Sequence, residues 1–179
     1  MRLDMNLPVM AFVLFAAAAA QDLIPTLPHL PAKLVFLTAA ALYFALTRPT
    51  TVALTAQVWA GGLTDALGGL PLFCTLSFLL VAYCVVRVLQ RMVLEATLVQ
   101  GLLLVACVSV AQTLWTRAWL GSGEPIFVWH TLATLSASAL AGMLAGGVGF
   151  AVCGLMDRVS GNVKPVKEGN GILWAETDR

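Results

Sequence analysis

Asp65 lies near the middle of Gln57 to Phe73 (QVWAGGLTDALGGLPLF), one of the most apolar stretches of an apolar chain. Acid–base chemistry of the aspartyl type needs two carboxylates at one depth. The other acidic side chains near apolar runs do not stand level with Asp65; they are Asp22, Glu95, Glu124 and Asp157. We therefore expect Asp65 to be structural and predict no catalytic carboxylate pair.

Nucleophilic and metal chemistry have equally little support. Ser138 and His130 could pair, but eight residues separate them and no third group is positioned to orient the histidine. The two histidines, His29 and His130, form no ligand cluster with the cysteines. The cysteines read instead as small buried hydrophobes; they are Cys74, Cys84, Cys107 and Cys153. The sequence thus predicts no enzyme activity, no metal and no cofactor.

The composition is that of a polytopic membrane protein. Of the 179 residues, 60% are hydrophobic and 11% are charged, whereas soluble domains carry roughly 25% charged residues. The net charge is +1, and the basic residues lie in short clusters between apolar runs, which leaves no footprint for nucleic acid. We expect a lipid bilayer around the protein and no nucleic-acid partner.

Six apolar runs are candidates for crossing a hydrocarbon core about 30 Å thick. Lipid cannot satisfy open strand edges, and apolar and polar residues do not alternate, so the runs should be helices. The predicted fold is all-α, with six transmembrane helices in residues 1–157 and a mobile cytoplasmic tail in residues 158–179. The runs are Leu7 to Ala20, Leu30 to Leu46, Val52 to Leu70, Leu72 to Val86, Ala96 to Trp115 and Thr131 to Met156.

The basic residues orient these helices with both termini in the cytoplasm. Eight basic residues then lie inside, namely Arg2, Arg48, Arg87, Arg91, Arg158, Lys164, Lys167 and Arg179, and two lie outside, Lys33 and Arg117. The first run also has the charged start, apolar core and A-x-A-like end of a cleaved secretory signal. We favour a retained first helix, because Asp4 weakens the basic start and the run continues through Leu23 and Ile24.

Gln57, Gly61, Asp65 and Gly69 recur every four residues and therefore share one face of a helix. Glycines let a neighbouring helix approach, and polar groups can bond across such a contact, so this face should meet protein and not lipid. Asp65 precedes the turn at Pro71 by six residues, which places it about 9 Å along the helix from that turn.

The polar residues at the depth of Asp65 belong to the fifth and sixth runs. They include Gln112, near the end of the fifth, and His130, at the start of the sixth. We expect Asp65 to pack inward towards this pair. The alternative is that Asp65 caps or hydrates a break in the helix around Gly68 and Gly69, whose low helix propensity would let the last turn unwind.

Two further rows are visible. The sixth run carries small residues on one face, Ser138, Gly142 and Gly146, which favours packing inside the protein over dimerisation. Arg87 and Arg91 lie one turn apart, with Glu95 four residues after Arg91. We interpret them as an ion-pair row at the membrane surface, with a phospholipid or partner site as the alternative.

The run WAGGLTDALGGLPLFCTLSFLLVAYCVVRVLQRM resembles the third and fourth helices of the rod shape-determining protein MreD family. That family shows a glycine-rich helix, an aspartate, a turn with proline, and an apolar helix with Ala-Tyr before a basic end. Family members often have glycine where this chain has Phe73, and serine where it has Gly68. The matching positions are Gly62, Asp65, Gly69, Pro71, Leu72, Ala82, Tyr83, Arg87 and Arg91.

The resemblance implies a non-catalytic scaffold in the bacterial inner membrane. Such a scaffold binds the bitopic protein MreC and, through it, couples the MreB filament to peptidoglycan synthases and cell shape. The family is also similar in fold to the vitamin-binding S components of energy-coupling-factor transporters, which is the alternative function. Few polar groups converge in the outer loops here to line a vitamin pocket, so the sequence favours the scaffold.

Overall fold

The structure is a computed structural model that describes residues 6–24, 33–71, 73–92, 98–121 and 129–160. These residues form six α-helices and contain no strand, so the all-α prediction is confirmed. Each helix overlaps one of the predicted apolar runs. The helices are α1 (Asn6–Leu23), α2 (Phe36–Thr47), α3 (Thr50–Gly68), α4 (Cys74–Met92), α5 (Leu98–Trp119) and α6 (Trp129–Val159). All but the first three residues of the predicted tail lie outside the described residues.

Helix α2 is the centre of the fold. It contacts each of the other five helices, and every residue from Leu37 to Ala45 is buried. Its alanines, Ala39 to Ala41, leave room for close neighbours, while Tyr43 and Phe44 fill the space at its other end. Twelve residues reach only about 18 Å, so this helix is a core element that is too short to cross a bilayer by itself.

The other helices pack around α2 in two groups. Helices α1 and α4 both contact α3 on one side, and α5 pairs with α6 on the other. Glycines make the α5–α6 contact close: a Cβ atom at Gly142 would stand 2.2 Å from Ser109 Oγ, and one at Gly146 would stand 3.2 Å from Val105 Cβ. The predicted use of the small-residue row for internal packing is confirmed.

Successive helices run in opposite directions, which gives the bundle two distinct ends. We call one the Arg48 end: it holds the α2–α3 turn at Arg48 and the C-terminal ends of α4 and α6. The opposite end, which we call the Asp65 end, holds the α3–α4 turn, the C-terminal end of α5 and the start of α6. Buried polar clusters lie at both ends, with the apolar core between them.

The outer faces of the bundle are apolar. Large side chains are exposed in steps of three or four residues along α6, as at Leu140, Leu144 and Val148. Two helices are long and apolar enough to cross a membrane, α5 over Val99–Trp119 and α6 over its whole length. The prediction that all four cysteines are buried is wrong: Cys84 and Cys107 are exposed, because they lie on the outer faces of α4 and α5.

Candidate functional site

The Asp65 carboxylate caps a neighbouring helix. Its Oδ1 atom accepts a hydrogen bond from the backbone N–H of Thr75 at 2.8 Å, and its Oδ2 atom accepts one from the N–H of Leu76 at 3.3 Å. Both donors belong to the first turn of α4, whose N–H groups have no acceptor within the helix itself. The positive end of the α4 dipole also faces the carboxylate. Asp65 therefore lies at a helix terminus that suits a negative charge, and it is only 2% exposed.

The remaining N–H groups at the start of α4 are also satisfied. Pro71 supplies its carbonyl to the N–H of Cys74 at 3.1 Å, and Phe73 supplies its carbonyl to the N–H of Ser77 at 3.1 Å. With the two bonds to Asp65, the first four N–H groups of α4 all have acceptors. The turn and the aspartate together thus replace a conventional capping residue.

Two of the described residues in the α3–α4 turn have left-handed backbone. Gly69 ends α3 with φ 60°, and its N–H donates to the carbonyl of Asp65. Phe73 precedes α4 with φ 74°, a value that is unusual for a residue with a side chain. Its ring is 57% exposed, so little packing offsets the backbone strain. Glycine would adopt this backbone conformation without that strain.

Gly61 brings α3 and α4 into direct contact. A Cβ atom at this position would lie 2.6 Å from Leu76 Cα, whereas one at the adjacent Gly62 would meet nothing within 4 Å. Leu76 is also a donor to Asp65. Because Gly61 allows this close approach, the start of α4 lies next to the Asp65 carboxylate, one helical turn further along α3.

Gln57, at the start of the same face, connects α3 to α2. Its Nε2 atom donates to the Ala41 carbonyl at 2.7 Å, and the side chain is fully buried. Its Oε1 atom has no hydrogen-bond partner among the described residues. The predicted protein-facing stripe is thus buried over Gln57, Gly61 and Asp65, while Gly69 at its end is exposed in the turn.

The partners predicted for Asp65 are wrong. Gln112 is buried, but its Oε1 atom accepts from Thr38 Oγ1 of α2 at 2.8 Å. His130 is exposed at the start of α6. Asp65 points inward as predicted, and the alternative capping role was nearer to its function, although it caps α4 and not a break in α3. The reason is that the start of α4 offers two otherwise unpaired N–H donors to the carboxylate, while Gln112 is engaged with Thr38.

A second polar cluster at the Arg48 end joins helices that are far apart in sequence. Arg48 Nη2 forms a buried ion pair with Asp157 Oδ1. The other carboxylate oxygen, Asp157 Oδ2, accepts from the Tyr43 hydroxyl at 2.7 Å. Both carboxylate oxygens are thereby bonded, which a buried charge requires. The cluster connects the end of α6 to the end of α2.

Arg87 of α4 extends this cluster. Its Nη2 atom donates to the Arg48 carbonyl at 2.6 Å, its Nε atom to the Tyr83 hydroxyl at 3.1 Å, and its guanidinium lies 5.3 Å from the centre of the Tyr83 ring. Gln90 Nε2 donates to the Leu46 carbonyl at 3.2 Å. The predicted pairing of Arg91 with Glu95 lies outside the described side chains. The buried pair was not predicted from the sequence. The one signal for it in the sequence is an acidic residue, Asp157, at the same end as a cluster of arginines.

The serine, histidine and carboxylate side chains considered for chemistry are held apart or bonded to other groups. Ser138 Oγ donates to the Thr134 carbonyl at 2.8 Å and accepts from Thr113 Oγ1 at 3.0 Å, so it is bonded away from His130. Within the described residues, no three histidine, cysteine or acidic side chains come together as metal ligands. The carboxylates of Asp65 and Asp157 lie at opposite ends of the bundle, too far apart to share a proton.

Comparisons of the chain with protein-family models, curated proteins and solved structures gave no match.

Proposed function

We propose that this protein is a non-catalytic scaffold of the bacterial inner membrane. Its six helices are embedded in the bilayer with both termini in the cytoplasm, and it binds an MreC-like bitopic protein of the cell-elongation machinery. Through that partner it helps to couple the MreB filament to peptidoglycan synthesis. The proposal rests on the resemblance of the α3–α4 segment to the MreD family.

One observation carries the proposal: the residues that bear the resemblance form a single capped hairpin. Asp65 and Pro71 supply acceptors to the start of α4, and Gly69 ends α3. Arg87, which also donates to Tyr83, connects the end of α4 to the α2–α3 turn. A rigid hairpin suits a scaffold, because a scaffold must present a surface of fixed shape to its partners. The apolar outer faces then remain available to lipid and to partner helices.

The charge distribution supports the proposed orientation. The Arg48 end holds Arg48, Arg87 and Arg158, and the Asp65 end holds Lys33 and Arg117 among the described basic side chains. In this proposal the Arg48 end faces the cytoplasm, in line with the positive-inside rule. Helix α1 buries Met10, Val13, Leu14 and Ala18 in the main core, which supports a retained first helix.

The test is co-purification from bacterial membranes. The tagged full chain is extracted in mild detergent, and the proteins that copurify are identified by mass spectrometry for wild type, Asp65→Ala and Asp22→Ala. We expect an MreC-like bitopic protein with the wild type, less of it with Asp65→Ala at equal membrane levels, and no change with Asp22→Ala. Asp22 is exposed on α1 and serves as the matched control.

The vitamin-carrier alternative predicts different copurifying proteins. Recovery of paired ATPases and a coupling membrane subunit, without a bitopic partner, would contradict the scaffold. The search would then turn to a small ligand at the Asp65 end, where Gln112 and Thr38 bond to each other in the present structure.

A further inference from the structure

The Arg48 end has more positive than negative charge. Its described charged side chains are Arg48, Arg87, Asp157 and Arg158, of which Asp157 alone is negative. Arg48 and Asp157 neutralise each other in their buried pair. Arg87 is partly buried and has carbonyl, hydroxyl and amide oxygens as its described acceptors. Its charge therefore has no carboxylate counterpart within the described part of the chain.

The two guanidinium groups also keep unused hydrogen-bond donors. Arg48 is 6% exposed, and its Nε atom is buried without a partner among the described residues. Arg48 donates to Asp157, and Arg87 donates to three acceptors. Each guanidinium carries more N–H groups than these bonds use. Arg87 is only partly buried, so its spare N–H groups can donate to a further acceptor.

The geometry holds Arg87 in a prepared position. The Tyr83 ring lies beside the guanidinium and the Tyr83 hydroxyl accepts from Nε, while the Arg48 carbonyl accepts from Nη2. These contacts remove side-chain freedom that a ligand would otherwise have to restrict. They also place Arg87 beside the α2–α3 turn, where the helices end and the headgroup layer would begin.

We propose that the phosphate of an anionic phospholipid headgroup binds at the Arg48 end, held by the guanidinium of Arg87. Guanidinium groups match phosphate oxygens in shape and charge and form paired hydrogen bonds with them. The cytoplasmic leaflet supplies anionic headgroups at this depth. This inference rests on the membrane location in the proposed function and does not depend on the MreC-like partner.

The test uses the purified full chain in detergent, with no partner present. Thermal unfolding is followed while phosphatidylglycerol, phosphatidylcholine or inorganic phosphate is added to wild type, Arg87→Gln and Arg158→Gln. Arg158 is the matched control, because it lies at the same end, is exposed, and loses the same charge on substitution. Phosphatidylglycerol should raise the melting temperature in a saturable way, and phosphatidylcholine should not.

The two variants distinguish a specific lipid-binding site from general electrostatic attraction to the lipid. Arg87→Gln should weaken the apparent affinity for phosphatidylglycerol about tenfold, as the loss of a charged hydrogen-bonding group does, and Arg158→Gln less than about threefold. Equal weakening by both substitutions would show only diffuse attraction and would overturn the proposal. An equal shift with inorganic phosphate would assign the site to free phosphate and would overturn the lipid headgroup.

A second variant guards against misfolding. If Arg87→Gln is not folded, Arg87→Lys is measured in its place, because it keeps the charge and loses the planar fork. The lysine variant should bind phosphatidylglycerol about threefold more weakly than wild type. Unchanged affinity in this variant would overturn the proposal. Because the protein alone is measured, the result does not depend on the outcome of the co-purification.

Discussion

At the scale of single residues, the role of Asp65 follows from what an ionised carboxylate needs in an apolar bundle. The start of α4 supplies two N–H donors and the positive end of a helix dipole, and Asp65 supplies the acceptors that this turn lacks. Each group would be costly to bury without the other. A single side chain of α3 thereby determines where α4 begins.

Removing the Asp65 carboxylate should destabilise the hairpin. We expect Asp65→Ala to lower the free energy of unfolding by about 2–4 kcal/mol, because two buried N–H groups lose their acceptor. Asp65→Asn should lie between the alanine variant and wild type, since one oxygen remains. Unfolding in detergent followed by tryptophan fluorescence measures the change, with Asp22→Ala as the exposed control. An Asp65→Ala variant as stable as wild type would contradict the capping role.

For Phe73 we expect the opposite effect: replacing its side chain should stabilise the protein. A residue with a side chain pays about 1–2 kcal/mol in left-handed backbone, and glycine avoids this cost while losing somewhat more chain entropy on folding. Phe73→Gly should therefore raise the free energy of unfolding by about 0.5–1 kcal/mol. The control is Leu67→Gly, an exposed apolar residue within α3, which should lower it by about 1 kcal/mol. A lower melting temperature for Phe73→Gly would disprove the strain.

At the scale of elements, the fold depends on how closely two helices can approach. Gly61 has Leu76 of α4 against it and Gly62 does not, although the two glycines are adjacent on α3. Gly142 and Gly146 likewise allow α6 to approach α5 closely. Small residues at these faces replace the large apolar side chains that hold soluble helices together.

The adjacent glycines of α3 allow a matched experiment. Gly61→Ala should lower the free energy of unfolding by about 1–3 kcal/mol, because its methyl group would collide with the backbone of α4. Gly62→Ala should raise it by about 0.5–1 kcal/mol, because the site is open and alanine is the better helix former. Both are measured by thermal unfolding in one detergent. Equal effects of the two substitutions would show that α3 and α4 do not pack as described.

At the scale of the whole molecule, two polar clusters connect elements that sequence separates. Asp65 couples α3 to α4, whereas the pair of Arg48 and Asp157 joins residues 109 positions apart. Tyr43 contributes the second bond to Asp157 from the central helix. The α5–α6 pair is thus attached to the rest of the bundle by a buried charge as well as by apolar packing.

Breaking that buried pair should be more costly than replacing it. Asp157→Leu should lower the free energy of unfolding by about 3–5 kcal/mol, because Arg48 is left buried and unpaired. Adding Arg48→Met to the same chain should recover most of the loss, since the two apolar side chains need no partner. Unfolding of both single variants and of the double variant measures the coupling. A double variant less stable than either single one would contradict a paired, buried arrangement.

The sequence by itself determined the helical class, the positions of the six helices and the inward direction of Asp65. These features depend on local properties: the length of an apolar run, the turn residues between runs, and the cost of a carboxylate among apolar groups. The tertiary structure alone decided the bonding partners. Whether Asp65 meets Gln112 or the start of α4 depends on the rotation and depth of each helix.

The same reason applies to the centre of the fold and to the buried ion pair. Nothing local to Phe36–Thr47 indicates that this short helix is surrounded by the other five, because every run in the chain is apolar. Arg48 and Asp157 lie 109 positions apart, and nothing local to either residue indicates that they pair. Their burial results from the packing of α2, α4 and α6, which no single segment of the sequence contains.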